Sequence, residues 1–317
     1  MRITALAGGV GGARFLRGLR AVLAGQSAEI TVIGNTADDI TLFGLRICPD
    51  LDTVMYTLGG GVEEAQGWGR REETFTVSAE LAAYGAGPSW FRLGDRDLAT
   101  HILRTKWLRE GASLSQVTAR LCTRWQPGVR LLPMSDDQVE THVLLPGVPE
   151  PVHFQEWWVA MHAAPLPTRF VQVGAERARP APGVLDAIET ADVVLFPPSN
   201  PVVSIGAILA VPGIREALVE TSAPIIGVSP IIGGAPVRGM ADVCLKVVGV
   251  PATAAGVAEW YGPQLLDGWL VDERDADTAV EGIPVRARPL LMTDVDAAAA
   301  IARDALRFAE EVRPPRG

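Results

Sequence analysis

The chain has 317 residues, enough for one large α/β domain or for such a domain carrying a smaller insertion. Hydrophobic residues make up 48% and charged residues 21%, a balance that supports a sizeable core and argues against global disorder. The formal net charge of −9 argues against a general nucleic-acid-binding surface, which needs a basic field, but leaves room for a local basic pocket around one nucleotide. Cys48, Cys122 and Cys244 are far apart with no CxxC, so neither a disulfide framework nor a zinc site is indicated. No signal-peptide core and no apolar run of membrane-spanning length is present, which predicts a cytoplasmic protein without membrane contact.

Ile3–Ala7 reads as a buried strand that breaks into Gly8-Gly9-Val10-Gly11-Gly12, and Phe15, Leu16 and Leu19 then mark one face of a helix. A glycine turn between strand and helix brings unhindered amides, and the helix's positive end, up to a phosphate. Arg14 adds a cation one turn in. The spacing is neither GxGxxG nor the P-loop, and the plainer reading is a tight turn only. A second strand, Glu29–Ile33, runs into Gly34-Asn35-Thr36-Ala37-Asp38-Asp39, at the kind of sheet edge where open α/β proteins hold ligands. Asp50 and Asp52 follow within CPDLDT. Four carboxylates in fifteen residues beside a phosphate-type loop suggest a hard-cation site, Mg²⁺ being the usual partner of carboxylates and substrate phosphates. Turn and helix-start residues are the alternative.

The stretch from about 62 to 165 reads as helix-rich, with helices near Ser78–Tyr84, along Leu98, Ile102, Leu103 and Trp107, and along Leu114, Val117, Leu121 and Trp125. Asp95 or Asp97 is placed to cap the second of these. Val139–Leu145 reads as a strand, and the stretch as a whole reads as an insertion or lid because nothing in it repeats the βα rhythm. That rhythm returns at Ala191–Phe196, ending in Pro197-Pro198-Ser199-Asn200-Pro201 with a helix from Ser204, and at Ala223–Val228, ending in Ser229-Pro230-Ile231. Two strand exits of similar, proline-stiffened design point to a composite cleft, with ordinary loops as the alternative. Trp269–Asp272 and Val285–Ala287 read as late or edge strands. Asp294 caps a terminal helix, and the tail Arg313–Gly317 is expected to fray. The four histidines, His101, His142, His153 and His162, read as structural.

Taken in order, AGGVGGARFLRGL, the Asn-Thr-Ala-Asp-Asp turn, CPDLDTVMYTLGGG, LGDRDLATH, LPMSDD, HFQEWW, PSNPVVSIG, SPIIGG and LLDGWLVDERD resemble the 2-phospho-L-lactate transferase family of deazaflavin coenzyme biosynthesis. The match runs from Met1 to about Met292, and CPDLDT with the GWG around Trp68 looks most like the branch that uses an enolpyruvyl donor. The resemblance implies a Rossmann-like, doubly wound, mostly parallel sheet, with a core from 1–61 and 166–317 and a helix-rich insertion or lid over 62–165, working as a homodimer. It implies transfer of a phosphoenolpyruvyl or 2-phospho-L-lactyl group from a guanosine-diphosphate-activated donor to the ribityl hydroxyl of 7,8-didemethyl-8-hydroxy-5-deazariboflavin, with release of GMP. Carried over to matching positions, Asp38 and Asp52 are the catalytic carboxylates and hold Mg²⁺. Gly8, Gly9, Gly11, Gly12, Ser199, Asn200, Pro201, Ser204, Ser229 and Ile231 hold the donor, and Asp52, Arg96 and Asn35 the acceptor. The sequence leaves open whether Asp38, Asp39 or the metal assists deprotonation of the hydroxyl. One rival is a non-enzymatic nucleotide-sugar-binding regulatory protein with a similar AGGxGG start. The LGDRD stretch and the paired acidic turns favour the enzyme. A nicotinamide dehydrogenase is a weaker rival, since Asn35 stands where that fold wants an acidic residue.

Overall fold

The computed structural model describes residues 1–312, and the tail Arg313–Gly317 lies outside the described residues. Seven strands make the main sheet: β1 (Arg2–Ala7), β2 (Glu29–Gly34), β3 (Arg130–Pro133), β4 (Val193–Phe196), β5 (Ile225–Val228), β6 (Gly268–Val271) and β7 (Val285–Ala287). Every pairing is parallel and the order is β3-β2-β1-β4-β5-β6-β7. The chain therefore winds outward from β1 to β3, returns to the other side of β1, and winds out again to β7. That is the doubly wound arrangement the motifs implied, with its reversal point between β1 and β4. Strands β4, β5 and β6 are buried along their whole length. Their unbroken apolar runs are what a parallel sheet covered on both faces requires.

Helix α1 (Gly9–Val22) and the C-terminal helix Val295–Val312 cover one face, where Phe15, Leu16 and Leu19 share a core with Ile301, Ala302 and Ala305. They approach so closely at Gly18 that a Cβ there would lie 2.3 Å from the Ala298 carbonyl carbon. Asp294 caps the terminal helix as expected, accepting from the Ala297 amide at 2.8 Å. The opposite face is packed by Ile188, Ala207, Ile208 and Val257.

The stretch 62–165 is helix-rich, but it does not stand apart from the sheet. It supplies β3, which pairs with β2 from Thr31↔Arg130 to Gly34↔Pro133. Four residues ending in proline carry too little pattern to be read as a strand, and the pairing partner alone defines them. Its other elements are α3 (Thr76–Ala83), α4 (Asp95–Arg109), α5 (Leu114–Trp125) and two strands of a small antiparallel sheet, Glu140–Leu144 and Val152–His153, whose third strand, Arg169–Val173, lies just beyond the stretch; α2 (Pro49–Leu58) precedes it.

Helix α4 keeps only part of the expected face: Leu98 is buried beside Ile40, Leu42 and Ile47, and Trp107 is half-buried. Ile102 and Leu103 are exposed, whereas Thr100, His101, Arg104 and Thr105 are buried. Apolar spacing assumes an apolar neighbour, but the inner face of α4 meets buried carboxylates, and only polar side chains find partners there. Nor does Asp95 cap its own helix. It accepts from the amides of Thr76 (2.9 Å) and Val77 (3.0 Å) at the start of α3, while Glu73 accepts from the amides of Arg96 (2.6 Å) and Asp97 (3.1 Å) at the start of α4. The two helices thus exchange caps.

Hydrogen bonds from Thr74, Val77 and Thr76 pull the Asp95 carboxyl down to about 2. Its folded value lies below the unfolded one, so its stabilising contribution is complete above about pH 4 and fades as the pH falls toward 2. Asp95→Ala is expected to strip hydrogen-exchange protection from Thr76–Ala83 at pH 7, leaving the strands of the main sheet protected. Equal protection of α3 in both proteins would refute the cap.

Candidate active site

A cavity of about 530 Å³ opens at the carboxyl ends of the strands, where β1 and β4 part. The loops after β1, β4 and β5 line it together with α2 and α4. Gly8, Gly9 and Gly11 line the cavity, with Arg14 behind them on α1. The glycines are needed for two different reasons. A Cβ at Gly11 would lie 2.2 Å from the Pro198 carbonyl oxygen, and one at Gly12 would lie 2.8 Å from Ser199 Oγ, so these two let the β1 and β4 exits touch. Gly9, at φ +62°, turns the chain into α1, and its nearest neighbour is Asp50 Oδ1 at 3.5 Å. Its amide bonds the Asp50 carboxylate, at the positive end of a 14-residue helix. Arg14 has no hydrogen-bond or ion-pair partner among the described residues, and burial, Arg238 and Arg17 together lower its proton affinity.

The acids come from α2 and from the turn after β2. Pro49 at the first position of α2 starts that helix with Asp50 and Asp52 in its first turn, where the helix dipole favours negative charge. Asn35, at the end of β2, donates from Nδ2 to Asp50 Oδ2 (2.9 Å) and to the Val203 carbonyl (3.3 Å), and its Oδ1 accepts from the Ala37 amide (3.0 Å). That shapes the turn carrying Asp38 and Asp39. Burial raises Asp38 well above the ordinary carboxylate range, and Asp50 adds to the rise. Burial likewise pushes Asp50 up to about 6, against hydrogen bonds from Asn35 and the Gly9 amide. Asp39 is raised to about 7 by burial even though Arg46 stands 3.5 Å away.

Asp52 belongs to a second group. Arg104, buried in α4, binds Asp52 Oδ1 through Nη2 and donates from Nη1 to His101 Nδ1 at 3.2 Å. Because arginine only donates, the His101 proton sits on Nε2, which lies 3.3 Å from Asp97 Oδ2. Asp97 Oδ1 in turn accepts from the Tyr56 hydroxyl at 2.5 Å. One ligand-type atom each from Asp52, Asp97 and His101 lie within 4.8 Å of one another. A similar trio, Glu140, His142 and His153, lies behind the acidic turn, but its atoms are engaged. Arg46 and Gln138 each bind Glu140 at 2.8 Å, and His153 bonds the Asp39 carbonyl (3.1 Å) and the Gln155 amide (3.1 Å).

Of the residues the motifs single out, Gly8, Gly9, Gly11, Asp38, Asp52, Ser199, Asn200, Ser204 and Ser229 line one cavity. The side chains of three are occupied by their own loops. Ser199 Oγ accepts from the Gly8 amide (3.1 Å) and donates to its carbonyl (2.8 Å). Asn200 Oδ1 caps Val202 and Val203 while its Nδ2 reaches Cys244 Sγ, and Ser229 Oγ bonds both backbone groups of Ile231. Gly12, Asn35, Pro201 and Ile231 lie behind the lining. Arg96 is not brought to the cavity: about half exposed, it pairs with Glu72 at 3.2 Å, and its helical neighbour Asp97 takes the inward position. Residues not foreseen as site residues are Asp97, His101, Tyr56, Trp68, Trp158 and Arg238. The i, i+4 pair Asp97 and His101 was a visible signal. Arg238 had none, since its place depends on contacts 172 residues away.

Comparison with known proteins accords with this geometry. The model of the family described as 2-phospho-L-lactate transferase CofD matches residues 3–302. The chain is 66% identical over 319 residues to a protein of Streptomyces griseus named phosphoenolpyruvate transferase, covering 99% of this chain and 100% of that one. It is 63% identical to one of the same name from Thermobifida fusca (99% of each chain) and 56% identical to one from Mycolicibacterium smegmatis (98% and 99%). Among solved structures, a UPF0052 family protein of Bacillus halodurans superposes with a TM-score of 0.62 at 16% identity, covering 96% of this chain and 99% of that chain, a likeness of fold. By the extent and depth of these matches, the chain belongs to the 2-phospho-L-lactate transferase family.

Proposed function

We infer that this protein is a phosphoenolpyruvyl transferase of deazaflavin coenzyme biosynthesis. It moves the phosphoenolpyruvyl group of a GDP-activated donor onto the terminal ribityl hydroxyl of 7,8-didemethyl-8-hydroxy-5-deazariboflavin. The observation that carries the reading is the meeting of opposite charges in one cavity, where the glycine turn at the start of α1 and an unpartnered Arg14 line the same space as Asp38, a buried carboxylate with no cation beside it. Phosphoryl transfer asks a protein for little covalent help; it asks for alignment and charge neutralisation. The glycine-loop amides, the start of α1 and Arg14 receive the donor's diphosphate. The hydroxyl oxygen bonds to the distal phosphorus as the bond to the GMP oxygen breaks, and GMP leaves with that electron pair. Asp50, pushed up to about 6, takes the hydroxyl proton, since its proton affinity lies near working pH. Asp39 is turned to Arg46 outside the lining and is not in reach.

The residues present fit a hard divalent cation. Asp38 Oδ1 and Asp52 Oδ2 are buried without a hydrogen-bond partner, and the first belongs to a carboxylate with no cation beside it. Magnesium held by Asp38 and Asp52 would supply positive charge to the phosphate oxygens at that wall. Guanosine as the donor's nucleoside, a homodimeric assembly and a cytoplasmic location rest on the motif resemblance. Among the described residues no single helix is long and apolar enough to cross a membrane.

Incubation with the deazaflavin, the GDP-linked enolpyruvyl donor and Mg²⁺ is expected to give GMP and an acceptor heavier by one phosphoenolpyruvyl group, read by mass spectrometry. EDTA is expected to stop the reaction and added Mg²⁺ to restore it. Full turnover in EDTA would remove the metal from the account.

A second expectation concerns stability. The Asp50 value is raised above its unfolded one, so the unfolded chain loses this proton first. Its ionisation therefore weakens the fold as pH rises from about 4 through 6, and the loss persists above that. In EDTA, Asp50→Asn should melt about 5 °C higher than the parent at pH 8 and no higher at pH 4, and in Mg²⁺ its turnover should fall about 100-fold or more below the parent's. A variant that melts lower at pH 8 would overturn the assignment of uncompensated charge.

A further inference from the structure

Trp68 lines the cavity yet is 55% exposed, and its indole has neither a hydrogen-bond nor a ring partner among the described residues. The segment that carries it is fastened from both ends. Arg238 binds the Ala65 carbonyl at 3.0 Å and the Gln66 carbonyl beside it, and Arg17 pairs with Glu64 at 2.7 Å. On the far side, Arg70 lies over the Trp125 ring at 4.5 Å and the Tyr56 ring at 5.4 Å. Gly67 rests on the first turn of α1, since a Cβ there would lie 2.6 Å from Val10 Cγ1. Gly67 and Gly69 both hold positive φ (+76° and +70°), so the tryptophan stands at the apex of a tight, anchored turn. A large apolar ring left bare in water is unfavourable unless something covers it. Here three arginines keep the strap in place, and more than half of the tryptophan is left exposed.

We propose that Trp68 is a stacking platform for a planar heteroaromatic ring of a substrate, either the tricycle of the deazaflavin acceptor or the guanine of the donor. The proposal rests on the transfer reading above, which brings two such rings to this cavity. An indole face gives a flat, polarisable surface to either ring, and its strap lies between the start of α1, where Gly67 touches Val10, and the Tyr56 side of the opposite wall, where Arg70 docks. Stacking on an aromatic side chain contributes about 1–3 kcal/mol per base, which is roughly tenfold or more in affinity.

The test measures binding of the deazaflavin and of GDP, each alone, to the full-length parent, Trp68→Ala and Trp68→Phe by calorimetry, with melting points alongside. Trp68→Ala is expected to lose about tenfold or more in affinity for one of the two ligands, and the ligand affected identifies the ring. Trp68→Phe, which keeps a flat ring, should recover most of it, and the melting point should hold because the indole is not packed. Unchanged affinity for both ligands overturns the platform, as does a Trp68→Ala that merely changes oligomeric state. A parent that binds both rings and transfers normally beside a fully competent Trp68→Ala leaves the transfer reading intact and sinks the platform alone. A parent that binds neither ring sinks both.

Discussion

Asp38, Asp39, Asp50 and Asp52 are all buried along two short segments, and burial raises the proton affinity of each of them. Carboxylates removed from water are tolerated only with partners, and the partners here are unevenly shared. Arg46 faces Asp39 and Arg104 binds Asp52, both from the side away from the cavity. Arg104 Nη1 also reaches the Arg46 carbonyl at 3.4 Å, so the two cations belong to one rear layer. Asp38 and Asp50 have an asparagine and an amide instead. The rear of the cluster is neutralised by the protein and the front is not. That asymmetry turns a group of buried acids into a wall with unspent negative charge, and it accounts for the polar inner face of α4, which supplies Arg104 and His101 to this layer.

How much of this could be read beforehand follows the range of the interactions involved. β1, the glycine turn and α1 were legible because strand, turn and helix are neighbours in sequence and each has its own period. The strand exits at Ser199–Pro201 and Ser229–Ile231 were legible for the same reason. β3 was not, because Arg130–Pro133 becomes a strand only by lying beside β2. The face of α4 was misread because Ile102 and Leu103 look like core residues until it is known that the neighbour is Asp52. Arg96 was placed at the acceptor by its motif, but one helical step separates it from Asp97, and only the latter turns inward. Short polar motifs identify which loop matters more readily than which side chain in it does the work.

The same distinction applies to Ser199, Asn200 and Ser229. Their residue types at the strand exits point to a cleft, and their hydroxyl and amide groups hold the loops themselves. Ser199 links the β4 exit to Gly8, and Gly11 and Gly12 let those two loops touch. Side chains that lock loops fix the backbone around the cavity, and a fixed backbone with Arg14 beside it suits an anion when the protein's own net charge is −9.

A protein of that charge binding an anionic donor has to separate attraction from repulsion in space. The start of α1 and Arg14 line the same cavity as Asp38 and Asp50, and the Gly9 amide already bonds Asp50. Phosphates received at the start of α1 would therefore meet negative charge close by, and under the proposed reaction a cation would have to intervene. Asp38 Oδ1 and Asp52 Oδ2, buried without a hydrogen-bond partner, are the donors such a cation would use, and with it the repulsion would become attraction. Charge neutralisation of this kind, with alignment, is most of what phosphoryl transfer requires.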